Sequence, residues 1–181
     1  SIMNEEYDLC SDIKEIDNNY DSEIYIDIKI KVIGELTNLS FMFDSIKGIN
    51  YFDELSKLNT SKITNMSRMF IYTEINNFNF VSNWDTSNVE DMSLLFACNF
   101  NANTIADISK WNTSKVTDMS GMFYGLSHLQ ELPDISKWDT SKVINMWRLF
   151  SGCGAESLPD ISKWDNRRSE ERRVGKECRS R

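Results

Sequence analysis

The side chains that could do chemistry in this chain are few and scattered. One histidine, His128, lies in the loop "YGLSHLQ", with no second imidazole in the chain. It reads as a solvated loop side chain. The cysteines, Cys10, Cys98, Cys153 and Cys178, form no C-x-x-C pair, and H-E-x-x-H, G-x-S-x-G and a phosphate-cradling glycine loop are all missing. Carboxylates recur instead, with Asp107, Asp134 and Asp160 at one phase and Asp85, Asp139 and Asp165 at another. Stacked carboxylates could hold Ca²⁺, which wants six to eight oxygens and usually a glycine-bearing loop. "PDISKWDTS" has no such glycine, and Lys110, Lys137 and Lys163 stand beside the acids. Trp84, Trp111, Trp138 and Trp164 also recur, as a sugar-stacking platform would; one slot filled alike in every copy reads more simply as a core ladder. No catalytic residue, metal ligand or cofactor site is therefore assigned, and a calcium-binding repeat stays as an alternative.

The recurrence itself is the stronger signal. "NTSKITNMSRMF" (59–70), "DTSNVEDMSLLF" (85–96), "NTSKVTDMSGMF" (112–123) and "DTSKVINMWRLF" (139–150) are copies of one phrase. Half-copies lie at "LTNLSFMF" (36–43) and "LPDISKWD" (158–165). The closing phenylalanines fall at 43, 70, 96, 123 and 150, and Leu58 takes the first tryptophan slot. A fixed period of 26–27 residues signals stacked repeats, none able to bury its apolar face alone. The predicted fold class is an α/β repeat, a leucine-rich-repeat-like right-handed solenoid over residues 35–166, built of short strands and short helical or 3-10 turns.

Within one unit, Leu129, Leu132, Ile135 and Trp138 mark an extended segment. Asp/Asn-Thr-Ser marks a turn, because an Asp or Asn side chain bonds its own backbone two residues on. Val116 and Met119 point inward, and Met122 and Phe123 plug the core from a short helical turn. Ser40, Ser67, Ser93 and Ser120 are expected to cap that turn. Cys98 and Cys153, two repeats apart, would sit about 10 Å from each other at the usual strand spacing, beyond disulfide reach, and read as small buried fillers.

The ends differ from the middle. Residues 1–34 form the expected N-terminal cap, with a strand over 22–33 in which Ile24, Ile26, Ile28, Ile30 and Val32 alternate with polar residues. Residues 1–21 are acidic and Asn-rich, and the sequence leaves their structure open. Residues 167–181 reverse the charge: from Arg168 on there are six Lys and Arg against three Asp and Glu. That stretch resembles a translated sequencing adapter, and the reading is a disordered tail outside the fold. The net charge of −8 argues against nucleic-acid binding, and no apolar run is long enough for a membrane span. The opening "SIMNEE" reads as the start of a fragment.

At "WDTSKVINMWRLFSGC" and "WNTSKVTDMSGMFYGL" the chain resembles the BspA-like, DUF285 type of leucine-rich-repeat surface protein, across about residues 35–165. The resemblance implies an extracellular or cell-surface location, a protein or cell-surface ligand, an adhesion or binding role and no catalysis. The alternative is a scaffold or stalk for a missing domain. Leu58, Leu126 and Trp147 depart from the family pattern. Trp147 takes a slot that is serine in the other copies; it is expected at the surface, either under a further coil or as the anchor for a partner.

Overall fold

The computed structural model describes residues 34–47 and 53–165. The chain divides into two compact units, Ser1–Leu36 and Thr37–Arg181. The full copies of the phrase lie in the second. The expected strand over 22–33 and the tail from 167 lie outside the described residues, as do Cys10 and Cys178.

The 26–27-residue period reappears as a hydrogen-bond ladder. The N–H groups of Leu39, Phe41, Phe43 and Ser45 donate to the carbonyls of Asn65, Ser67, Met69 and Ile71 on the next copy. Met66, Arg68, Phe70 and Tyr72 donate in turn to Asp91, Ser93, Leu95 and Ala97, and the pattern continues from Met92 to Cys98 and from Met119 to Gly125. A second seam runs the opposite way, from Thr64 N–H to Thr37, Glu90 to Thr64, Thr117 to Glu90 and Ile144 to Thr117. Each copy therefore lies in register on its neighbour, and its backbone polar groups are satisfied by the adjoining copy.

The local elements differ from those expected. Among the described residues there is no strand, only isolated parallel bridges such as Asn38↔Asn65, Asn65↔Asp91, Asp91↔Asp118 and Asp118↔Asn145. The 3-10 helices are Asp53–Lys57 and Asn79–Val81, and neither is the turn that follows the serine slot. That turn is a pair of β-turns. Met69 N–H bonds the Met66 carbonyl across Arg68, which has φ 56°, and Tyr72 opens the next left-handed step at φ 59°. The same two slots hold Phe41 and Ser45, Leu94 and Cys98, Gly121 and Gly125, and Arg148 and Gly152, all at positive φ. A left-handed residue every fourth position prevents the chain from extending into a strand or winding into a helix. For a non-glycine residue that conformation costs about 1–2 kcal/mol. Ladder bonds donated to the next copy by Phe41, Ser45, Arg68, Tyr72, Leu94 and Cys98 hold them in it.

Capping also falls on a different residue. Ser40, Ser67, Ser93 and Ser120 were expected to cap with their hydroxyls; instead their N–H groups donate to the side-chain Oδ1 of Asn38, Asn65, Asp91 and Asp118 at 2.7–2.8 Å. The cap is an Asx turn, and the slot uses the backbone N–H and carbonyl of its occupant; the Ser67 hydroxyl alone adds a bond to Asn65 Oδ1, at 2.7 Å. Trp147 therefore fits there, donating its N–H to Asn145 Oδ1 at 3.1 Å. The Asx turn expected at Asp/Asn-Thr-Ser forms as well, from Asn59, Asp85, Asn112 and Asp139 to the serine two residues on.

The core is two aromatic columns. Trp111 stacks on Trp138 at 6.4 Å and 3°, and Trp138 on Trp164 at 6.2 Å and 3°. Each Trp is buried, and each donates its indole N–H one copy back, to the carbonyls of Leu55, Val81, Ile108 and Ile135. Phe43 stacks on Phe70 and Phe123 on Phe150, both at 5.6 Å. Between Phe70 and Phe96 the ring of Phe78 wedges in, 5.7 Å from one and 4.8 Å from the other. Thr60, Thr86, Thr113 and Thr140 are buried beside the columns, and Thr86 and Thr113 hydroxyls reach the carbonyls of Asn112 and Asp139 on the next copy.

Candidate binding surface

The residues that could have done chemistry are dispersed or engaged. Cys98 and Cys153 are free and buried, in different slots of their copies. Among the described residues, no three His, Cys, Asp or Glu side chains come together as a metal cluster. The carboxylates of Asp107, Asp134 and Asp160 close Asx turns on Ser109, Ser136 and Ser162 at 2.9–3.0 Å. Hydrogen bonds from the serine hydroxyl first and its N–H second hold Asp85, Asp107, Asp134 and Asp139 below the ordinary carboxylate value of 3.8. At Asp160 the same two bonds act, with the N–H foremost. His128 is more engaged than its loop position suggested. Its Nδ1 meets the backbone carbonyl of Phe100 on the preceding copy and lies 3.3 Å from Ser127 Oγ. A backbone carbonyl can only accept, so Nδ1 is the donor in this contact.

Among the outward residues are several that the repeat does not specify. Along the paired-turn column, the slot after the serine holds Phe41, Arg68, Leu94, Gly121 and Arg148. The Arg68 guanidinium lies 5.3 Å over the Phe41 ring. Arg148 lies 4.3 Å over the ring of Trp147 and 5.9 Å over that of Tyr124. Trp147 is 48% exposed and Ile144, on the same copy, 58%. Arg148 adds a ladder of cation–π contacts, worth about 0.5–1 kcal/mol each at an exposed site, and its left-handed backbone fixes where its side chain leaves the chain. The result is a preset cluster of Trp, Tyr and Arg on the surface.

A second feature lies in the segment between Phe and Trp. Asn76, Asn101, Asn103, His128 and Gln130 line a shallow groove of 490 Å³. The backbone sets it: Asn103 N–H donates to the Asn76 carbonyl at 3.1 Å and Gln130 N–H to Asn103 at 3.4 Å. Exposed Phe100 precedes the groove residue Asn101 and sets its carbonyl against His128 Nδ1, with its ring 6.4 Å from that of Tyr72. A hydrogen bond with Cys98 is the foremost cause holding the Tyr72 phenol above its usual range. Beneath this segment Asn99 is fully buried. Its Oδ1 accepts from Thr73 N–H and Oγ1 and from Ile75 N–H, and its Nδ2 donates to the carbonyls of Phe70, Phe96 and Ala97.

Of these residues, the sequence singled out Trp147 and His128 alone. Arg148, Tyr124 and the groove carboxamides follow no motif; the available signal is that they occupy slots whose occupants change from copy to copy. A family model described as "Mycoplasma protein of unknown function, DUF285" matches residues 37–164. No curated protein and no solved structure matches.

Proposed function

The chain belongs to the DUF285 family, and from that premise we propose that it is a repeat module for protein binding or adhesion, at a cell surface or outside the cell. In this reading the copies form a leucine-rich-repeat-like right-handed solenoid, and Trp147 is the anchor for a protein or cell-surface ligand. The observation that carries it is the exposed Trp147 ring clamped under the Arg148 guanidinium at 4.3 Å. Trp, Tyr and Arg dominate binding hot spots, because each buries a large area for few rotatable bonds or makes several directed hydrogen bonds. Here all three lie together, and exposed Ile144 is on the same copy as Trp147 and Arg148. The repeat frame explains why such a cluster costs the fold little: the slot of Trp147 asks only for backbone groups, its N–H for Asn145 and its carbonyl for Gly121. A calcium-binding role has less support, since the recurrent aspartates spend an oxygen on closing their own turns.

The test is binding of the fluorescently labelled chain to intact cells and to purified extracellular proteins, compared with Trp147→Ser and Arg148→Ala. Each substitution should lower binding by about tenfold or more, with the melting temperature unchanged. Binding that survives both, or a Trp147→Ser chain that melts early and binds normally, would sink the reading. A chain that binds nothing by this face would favour a stalk.

A further inference from the structure

We propose that the groove lined by Asn76, Asn101, Asn103, His128 and Gln130 is a binding site for a linear neutral oligosaccharide, with Phe100 as its stacking platform. The inference stands apart from the reading of Trp147. Its first support is the lining. In a chain that is 27% charged, these five residues are four carboxamides and one imidazole. A carboxamide carries two donors and two acceptor lone pairs, and a sugar hydroxyl is likewise donor and acceptor. An ionised lining would instead select an ion of opposite charge. Among the described residues these four carboxamides make no side-chain hydrogen bond, whereas buried Asn99 spends all of its capacity inside the protein. The groove amides are thus available to a ligand.

The second support is the platform. Phe100 is 51% exposed but not loose. Its carbonyl is held by His128 Nδ1, and its ring edge lies over the next copy's Gly125, where a Cβ would come within 3.5 Å of Cε1. A fixed aromatic face beside neutral hydrogen-bonding groups is the pairing that a pyranose needs: C–H groups on one side, hydroxyls around the edge. The tryptophan ladder cannot supply that face, because it is buried.

The third support is register. Asn76, Asn103 and Gln130 are consecutive rungs, tied backbone to backbone. Such rungs are about 4.8 Å apart, a step comparable with the length of one pyranose residue. An extended peptide offers same-face groups every second residue, about 6.6 Å apart, and falls out of step with the ladder. The oligosaccharide is therefore expected to run along the stacking direction, one sugar per copy.

The experiment is calorimetric titration of the full chain with cellohexaose, laminarihexaose and mannohexaose, beside a heparin hexasaccharide and a capped hexathreonine peptide. At least one neutral hexaose should bind saturably. Phe100→Ala and Asn103→Ala should each weaken that binding by about tenfold, with melting unchanged, while Trp147→Ser binds as the parent does. Should Phe100→Ala fail to fold, Asn76→Ala, an exposed position, replaces it beside Asn103→Ala. The proposal is overturned if no neutral hexaose binds, if binding ignores the groove substitutions, or if only the heparin fragment or the peptide binds.

Discussion

Every copy has two arcs, and they obey different rules. From Trp to Phe the distance is always twelve residues: Trp84 to Phe96, Trp111 to Phe123, Trp138 to Phe150. Each such arc makes the same Asx turns and the same paired β-turns, the first two donate the same ladder bonds to the next copy, and the third accepts them. From Phe to Trp the distance is 14 or 15 residues, and each copy solves the closure differently. The copy after Phe70 uses the Phe78 and Phe80 rings, and the one after Phe96 uses the Asn99 hub. The one after Phe150 uses Gly154, where a Cβ would sit 2.1 Å from the Ser127 carbonyl oxygen. The difference teaches where information can be stored. The first arc is constrained at every residue by the copy on either side, so only its outward slots are free. The second has slack in length, and individual residues decide its shape.

Breaking the constant arc should cost most. Trp138→Ala removes a ring stacked on both Trp111 and Trp164 and an indole bond to Ile108. A loss of about 3–5 kcal/mol is expected in denaturant unfolding. A loss under about 1 kcal/mol would mean that the column does not carry the frame.

The variable arc should be costly only at its hub. Asn99→Ala leaves the Thr73 and Ile75 donors and three carbonyls without their buried partner, with an expected loss of about 2–3 kcal/mol. Asn76→Ala, in the same arc but outward, should change stability by no more than about 0.5 kcal/mol. Equal effects at the two positions would erase the distinction between hub and groove.

The smallest effect concerns acid, and it separates the aspartate turns from the asparagine turns. The folded-state pKa of Asp107, Asp134 and Asp160 is lowered, so their contribution is full above the ordinary value of 3.8 and disappears as pH falls through the folded value. Replacing all three by Asn should flatten the fall in melting temperature across that acid range and leave neutral stability nearly unchanged. An unaltered acid slope would assign the fall to other carboxylates.

Much of this was readable in the sequence because it is local or repeated. The 26–27-residue period, the Asx turn at Asp/Asn-Thr-Ser and the inward slots of Trp, Val, Met and Phe rest on residue type and spacing alone. Two local expectations failed for one reason. The serine hydroxyl and the 3-10 turn are what an isolated segment would prefer, yet bonds donated to the next copy hold Phe41, Arg68 and Leu94 left-handed. Those bonds span 26 or 27 residues, and no local propensity encodes them. The same holds for the surface. Trp147 drew notice by breaking the phrase, but Arg148 became its partner only through the left-handed backbone that aims it. Asn76, Asn103 and Gln130 share no motif with one another; stacking brings them onto one line. Residue type and period determined what is buried. Which of the remaining residues meet, and so what the surface can bind, was decided by the register between copies.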